Sequence, residues 1–177
     1  VYDNSRLNKF ICFAFIVRII GINYGLPLTI VADEPPFVLG ALKMMELHTL
    51  APGLHPAQFV SKLYFPPYLA YFFMPFFAVV LGIWYLFAGV SLPVFKLLVS
   101  LDPSALFITA RFLSALSGTL SVYLLYLSAR NIFRNHYSAL LSAFLLAFSL
   151  LHVNFSHWAR HWSFVTLIFT AVIYVLS

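Results

Sequence analysis

Two adjacent carboxylates, Asp33 and Glu34, follow an apolar run and precede the Pro35-Pro36 pair. Acidic residues are otherwise sparse, because the chain has only 5 Asp and Glu in 177 residues. Carboxylates held beside lipid cost free energy and often mark functional sites. A carboxylate in such a position suits general-base chemistry, in which it takes a proton from an acceptor hydroxyl or amine. Asp33 and Glu34 are therefore the candidate catalytic residues.

Basic and polar side chains elsewhere in the chain supply complementary chemistry. Arg160 is flanked by two histidines, and a second arginine stands near the start of a later apolar run. Cations of this kind suit the stabilisation of a leaving phosphate, which they bind through charge-assisted hydrogen bonds. The candidate substrate-binding residues are Arg160, His157, Arg111, Lys62, Tyr64 and Arg18.

Composition indicates the elements that must position these side chains. The chain is 63% hydrophobic and 8% charged, whereas soluble domains carry about 25% charged residues. We therefore expect an all-α, polytopic transmembrane helical bundle. The formal charge of +5 is interpreted as a topology signal in loops and termini and not as a nucleic-acid-binding surface.

Apolar runs and breaks predict the order of the helices. A membrane helix needs about 20 residues, and shorter polar-faced helices lie on the surface. We expect a loop over residues 23–36 and a surface-lying amphipathic helix over residues 37–50. The predicted membrane helices cover residues 10–22, 106–128, 137–155 and 158–177.

The region 68–104 presents a parity problem. Residues 68–90 are apolar enough to cross a membrane, but residues 91–104 are too few to return. A single crossing would put Arg130 and Arg134 outside, against the positive-inside rule. We therefore predict that 68–104 is an interfacial or re-entrant helical pair. Residues 157–161 then lie on the same outer face as Asp33.

Two residue groups have alternative interpretations. Arg18 lies inside the first apolar run, where it either snorkels to the interface or serves an anionic ligand or the Asp33-Glu34 pair. His157 and His161 have a spacing that can present two imidazoles to zinc, but no third ligand of suitable spacing accompanies them. A divalent ion at Asp33 has only thin support, so we expect no metal and no cofactor.

The order of motifs resembles the N-terminal part of a GT-C glycosyltransferase, the membrane class that uses polyprenyl-phosphate sugars. The nearest groups are the protein O-mannosyltransferase and aminoarabinose-transferase types. The chain departs from some members at Phe65, where they have Lys, and at 161–163, where they have Asp. The motifs that carry the resemblance are Ala32-Asp33-Glu34-Pro35, Leu54-His55-Pro56, Tyr64-Phe65-Pro66-Pro67-Tyr68, Ala110-Arg111-Phe112-Leu113-Ser114-Ala115-Leu116-Ser117-Gly118 and Ser156-His157-Trp158-Ala159-Arg160.

The resemblance implies a function and a domain plan. Asp33 would be the catalytic base with Glu34 assisting, in an inverting transfer from a lipid-linked sugar donor to an unspecified acceptor. Residues 23–67 would form the first external loop, with the catalytic motif and surface-lying helices, on the periplasmic face of a bacterial inner membrane; an endoplasmic reticulum membrane is the alternative. Residues 1–177 would be the N-terminal transmembrane module of a longer protein.

Three other interpretations remain open. A transporter or flippase-like bundle would have charges near the middle of the membrane and broken helices in pairs. A non-catalytic subunit would use the same scaffold without the chemistry. The third interpretation is that Asp33 and Glu34 are a solvated loop pair with a capping role for the helix that starts near Pro36.

Overall fold

The computed structural model describes residues 4–28, 30–31, 33–52 and 67–177, with side chains from residue 7 onward. Within these ranges the regular structure is entirely α-helical, as the sequence predicts. The helices are α1 (Asn4–Ile19), α2 (Pro35–Glu46), α3 (Tyr68–Ala88), α4 (Leu92–Leu101), α5 (Ser104–Phe133), α6 (His136–Ala147), α7 (Leu150–His157) and α8 (His161–Leu176).

The chain forms two compact units. The first unit comprises Val1–Ile22 and Arg111–Ser177, and the second comprises Asn23–Ala110. The division falls within α5, whose first residues belong to the second unit. The first unit therefore contains α1, most of α5 and α6 to α8, while the second contains α2 to α4.

Small side chains form the core of the first unit. A stripe of alanines on α6, at 139, 143 and 147, packs with Ala14 of α1 and with α5. The α5 face also has Ser114, Ser117, Gly118 and Ser121, and all four are buried. Small residues let helix backbones approach closely where lipid removes the hydrophobic drive between helices. The buried small residues of α5 are therefore suited to close packing against neighbouring helices.

The core of the second unit is aromatic and aliphatic. Phe73 and Phe77 of α3 are fully buried and their rings stack at 5.7 Å between centroids. In the same unit α2 packs on α3. Val38 and Met44 of α2 are fully buried. α2 ends at Glu46, so the helix is shorter than the 37–50 prediction at its C-terminal end.

The region 68–104 contains two helices, α3 and α4, joined at Gly89. Gly89 has a φ of +63°, the left-handed conformation that ends helices and that glycine adopts with least strain. Phe95 of α4 then packs edge-on against Trp84 and Tyr85 of α3, with centroid separations of 5.5 and 5.1 Å. A helical pair is therefore present, and its interfacial or re-entrant placement stays a prediction.

Two helices among the described residues are long and apolar enough to cross a membrane, α3 and α5. A third crossing exists if α6 and α7 count as one span, because together they pass the same test. α1 has 16 residues, which is fewer than the about 20 a crossing needs. The predicted membrane helix over residues 10–22 is therefore replaced by a helix that begins and ends earlier.

The predicted helix over 137–155 is not continuous. α6 and α7 are bent by 56° at a short break. Ser149 caps α7, since its Oγ accepts a hydrogen bond from the backbone N–H of His152 at 3.4 Å. A serine cap favours a new helix start over continuation. The apolar pattern continues through the break, which explains why hydropathy alone predicts one helix.

Candidate functional site

Asp33 and Glu34 stand at the start of α2 in the second unit. Glu34 is the N-cap residue and is fully buried, while Asp33 is partly buried. Pro35 and Pro36 open the helix, where the missing N–H groups of proline cost nothing. The Glu34 side chain makes no capping hydrogen bond. A solvated capping pair is therefore the wrong description of Glu34.

The two other described carboxylates have local structural contacts. Glu46 forms an exposed ion pair with Lys43 at 2.8 Å. Asp102 accepts a hydrogen bond from the backbone N–H of Ser104 at 3.0 Å, just before α5 begins. Hydrogen bonds from Ser104 lower the pKa of the Asp102 carboxyl below its ordinary value. Asp33 and Glu34 are the two described carboxylates that are adjacent in the sequence.

In the first unit, cationic side chains gather where the chain leaves α1. Arg111 Nη1 donates to the carbonyl of Ile22 at 2.8 Å. His157 Nε2 lies 3.0 Å from the carbonyl of Ile20, and its Nδ1 lies 2.8 Å from the carbonyl of Val153. Both ring nitrogens of His157 thus face backbone carbonyl oxygens, which fixes the orientation of the ring.

Arg160 adjoins this group because it follows His157 by three residues, within about 11 Å along the chain. It is the N-cap residue of α8, and its guanidinium carbon lies 5.9 Å from the Trp158 ring centroid. That distance is within the range of a cation–π interaction. We call Arg111, His157 and Arg160 the exit cluster.

Arg18 occupies a different position from either sequence interpretation. Its side chain is fully buried. Nη1 donates to the carbonyl of Ala14 at 2.7 Å, Nη2 donates to the carbonyl of Ala147 at 3.3 Å, and Nη2 lies 2.9 Å from His152 Nδ1. The guanidinium is therefore held inside the first unit, at the break between α6 and α7, and does not snorkel.

The depth of Arg18 follows from its neighbour on α5. A Cβ added at Gly118 would lie 3.3 Å from Arg18 Nε. Gly118 is seven residues beyond Arg111, which is about 10 Å along the helix axis. Arg18 thus lies about two helical turns inward from the exit cluster and does not belong to it.

His152 is the residue that sequence reasoning missed. Its Nδ1 faces the Arg18 guanidinium, so Nδ1 must be the acceptor and Nε2 the protonated nitrogen. The signal that could have identified it is the single histidine within the predicted apolar run 137–155, in a chain whose first apolar run contains an arginine. We call Arg18, Ala147 and His152 the arginine clamp.

The candidate site residues thus separate into groups. Asp33 and Glu34 are neighbours in the second unit, and Arg111, His157 and Arg160 form the exit cluster of the first. Lys62 and Tyr64 lie outside the described residues. The zinc alternative at His157 is not supported, because both ring nitrogens face carbonyl oxygens. No group of three or more His, Cys, Asp or Glu side chains among the described residues is arranged to hold a metal ion.

Comparison with known protein families, curated proteins and solved structures finds no match for this chain.

Proposed function

We propose that the chain is part of a membrane glycosyltransferase of the GT-C type. It moves a sugar from a polyprenyl-phosphate donor to an acceptor hydroxyl or amine with inversion at the anomeric carbon. Asp33 is the general base, and the exit cluster binds the donor phosphate. The reaction takes place on the outer face of the membrane, the periplasmic face in a bacterium.

The exit cluster is the observation that carries this proposal. Two of its three basic side chains, Arg111 and His157, contact the backbone of residues 20–22 directly, and from there the chain continues to Asp33. These contacts order the polar side chains at one end of the first unit. A charged group at one face suits a reaction on a lipid-linked phosphate, whose phosphate lies at the membrane surface.

The chemistry needs one proton acceptor and one anion-binding group. Asp33 takes the proton from the acceptor hydroxyl or amine as its oxygen or nitrogen attacks the anomeric carbon. The bond from that carbon to the phosphate oxygen breaks, and the electron pair stays with the phosphate. Arg111, His157 and Arg160 stabilise the charge that develops on this leaving group.

Exposure supports Asp33 over Glu34 as the base. Asp33 keeps part of its surface exposed, whereas Glu34 is fully enclosed. A base must come within hydrogen-bonding distance of the proton that it removes. Asp33 meets that requirement more readily, and Glu34 has a supporting role beside it.

Asp33→Asn tests the proposal. The amide keeps the size of the side chain but does not act as a base. We expect release of polyprenyl phosphate from polyprenyl-phosphate mannose or polyprenyl-phosphate aminoarabinose to fall by about 100-fold or more. The assay uses membranes that contain the full-length protein. Glu46→Gln is the matched control, because it removes a carboxylate of the same unit that forms an exposed ion pair with Lys43, and it should keep full activity.

Two results would contradict the base assignment. One is unchanged release with Asp33→Asn at equal protein abundance. The other is an equal loss of activity with Glu46→Gln, which would mean that any carboxylate removal acts through the fold.

A transporter is the second candidate, because the arginine clamp is a buried charge beside a broken helix. Transporters place such features around substrate paths. However, the Arg18 guanidinium contacts two carbonyls and His152, which is typical of a structural role. A transport function predicts that Arg18→Lys abolishes substrate movement at unchanged stability, whereas the transferase predicts loss of stability first.

A further inference from the structure

A polar pocket lies where α5 ends and α6 begins. Tyr126 OH lies 3.0 Å from His136 Nδ1, which orients that ring, and Asn131 Nδ2 donates to Ser177 Oγ at 3.4 Å. We call this polar pocket the arginine pocket, and its lining residues are Arg130, Asn131, Arg134, His136 and Ser177.

The surrounding sequence leaves this pocket electropositive. The chain from residue 103 to residue 177 contains no Asp or Glu, so α5 to α8 carry only basic charged side chains. The lining supplies two guanidinium groups, an imidazole and an amide, all of which can donate hydrogen bonds. Guanidinium groups match the oxygens of a phosphate in a bidentate geometry.

Helix length places the pocket at the depth of lipid phosphates. Arg111 and Arg130 are 19 residues apart on α5, with no charged residue between them, which corresponds to about 28 Å. The hydrocarbon core of a bilayer is about 30 Å thick. When the exit cluster lies at one membrane surface, the arginine pocket therefore lies at the other, among the headgroups.

The backbone at Arg134 points to a role for its side chain. Arg134 has a φ of +51°, and its N–H donates to the carbonyl of Arg130 at 3.0 Å, which closes α5. Glycine adopts this left-handed conformation with less strain and is the residue that most often ends a helix in this way. Arg134 nevertheless occupies this position, and its side chain lines the pocket.

We propose that the arginine pocket binds a phosphate ester anion, as carried by the headgroup of an anionic phospholipid. This site is independent of the proposed transferase site, since it uses none of its residues. Arg130 and Arg134 thereby hold the end of α5 at the headgroup layer through a specific contact in addition to their general attraction to anionic lipid.

Saturable binding of pyrene-labelled phosphatidylglycerol to the full-length protein in dodecyl maltoside tests the proposal, with energy transfer from tryptophan as the signal. Arg134→Gly removes the guanidinium and relieves the left-handed strain. We expect it to weaken binding about fivefold or more while the unfolding temperature stays the same or rises. Lys96→Gln removes one exposed cation of the second unit and should leave binding unchanged.

Competition distinguishes the source of the phosphate. Displacement of the labelled lipid by inorganic phosphate supports the site and assigns it to a soluble phosphate, whereas displacement only by unlabelled phosphatidylglycerol assigns it to a lipid. Phosphatidylglycerol binding that is equal in the wild type and Arg134→Gly would overturn the proposal. An equal loss with Lys96→Gln would also overturn it, because the attraction would then depend on net charge alone.

Discussion

At the scale of single residues, the arginine clamp shows how a buried charge is tolerated in an apolar unit. Arg18 has two carbonyls and one imidazole nitrogen as acceptors, and the Ala147 carbonyl is one that α6 leaves unsatisfied at its end. Burying a guanidinium without partners would cost several kcal/mol. The clamp thus gives acceptors to both terminal guanidinium nitrogens and a donor to the helix end, while Arg18 Nε and His152 Nε2 are buried without a hydrogen-bond partner among the described residues.

We predict that Arg18 and His152 are energetically coupled. Arg18→Leu leaves the Ala147 carbonyl and the His152 ring without their buried partner, which should lower the free energy of unfolding by about 3 kcal/mol. His152→Leu should cost less, because Arg18 keeps its two carbonyl acceptors. The effect of the double variant should fall short of the sum by about 1–3 kcal/mol.

Chemical unfolding of the purified protein in detergent, followed by tryptophan fluorescence, measures this cycle. Additive effects of the two substitutions would mean that the 2.9 Å contact between Arg18 and His152 contributes no coupling energy.

At the scale of secondary-structure elements, close approach between α5 and α7 depends on one glycine. A Cβ at Gly118 would lie 3.0 Å from Ser156 Cβ and would overlap Ser156 Oγ. Ser156 is buried, and its hydroxyl donates to the His152 carbonyl at 2.7 Å. The neighbouring side chain therefore has little room to move away.

Gly118→Ala should destabilise the protein by about 1–3 kcal/mol, because it overpacks this contact. Gly82→Ala is the matched control, since Gly82 lies within α3 and a Cβ there meets nothing within 4 Å. The control should be neutral or stabilising by about 0.5–1 kcal/mol, because alanine is the better helix former. Thermal unfolding in the same detergent compares the two variants.

An equal effect of these two substitutions would contradict the close approach of α5 and α7. A stabilising Gly118→Ala would do so more strongly, because it would require open space where Ser156 lies.

At the scale of the whole molecule, α5 is long and apolar enough to cross a membrane. The exit cluster and the arginine pocket lie at opposite ends of its uncharged stretch, which has about the thickness of a hydrocarbon core. The two groups of cations therefore belong to opposite membrane surfaces when α5 crosses. The transferase proposal further requires Asp33 and Arg160 on one surface.

Cysteine labelling in sealed vesicles of both orientations tests this arrangement. Cys12 is free and exposed, so the background carries Cys12→Ala. We expect an impermeant thiol reagent to label Asp33→Cys and Arg160→Cys from the same side and Arg134→Cys from the opposite side.

Labelling of Arg160→Cys and Arg134→Cys from one side would show that α5 does not cross. Labelling of Asp33→Cys and Arg160→Cys from opposite sides would instead rule out the shared outer site.

Local sequence was sufficient for the helical class and for most of the helices. Long apolar runs with few charges predict α3 and α5, since a helix satisfies its own backbone hydrogen bonds in an apolar setting. It was less informative at the α6–α7 break, where the apolar pattern continues and a serine cap separates the helices. For the first helix, the sequence predicted a start later than the observed Asn4 and an end beyond the observed Ile19.

The candidate site, like the helices, could be predicted from the sequence only in part. The sequence by itself determined which side chains are chemically suited to it, because acidic residues are rare and the arginines stand apart in apolar runs. Only the tertiary structure decided that Arg111 and His157 meet at the end of α1 while Arg18 pairs with His152, 134 residues away. Such pairings depend on the rotation and register of packed helices, and these are determined by contacts distant in sequence that no local pattern specifies.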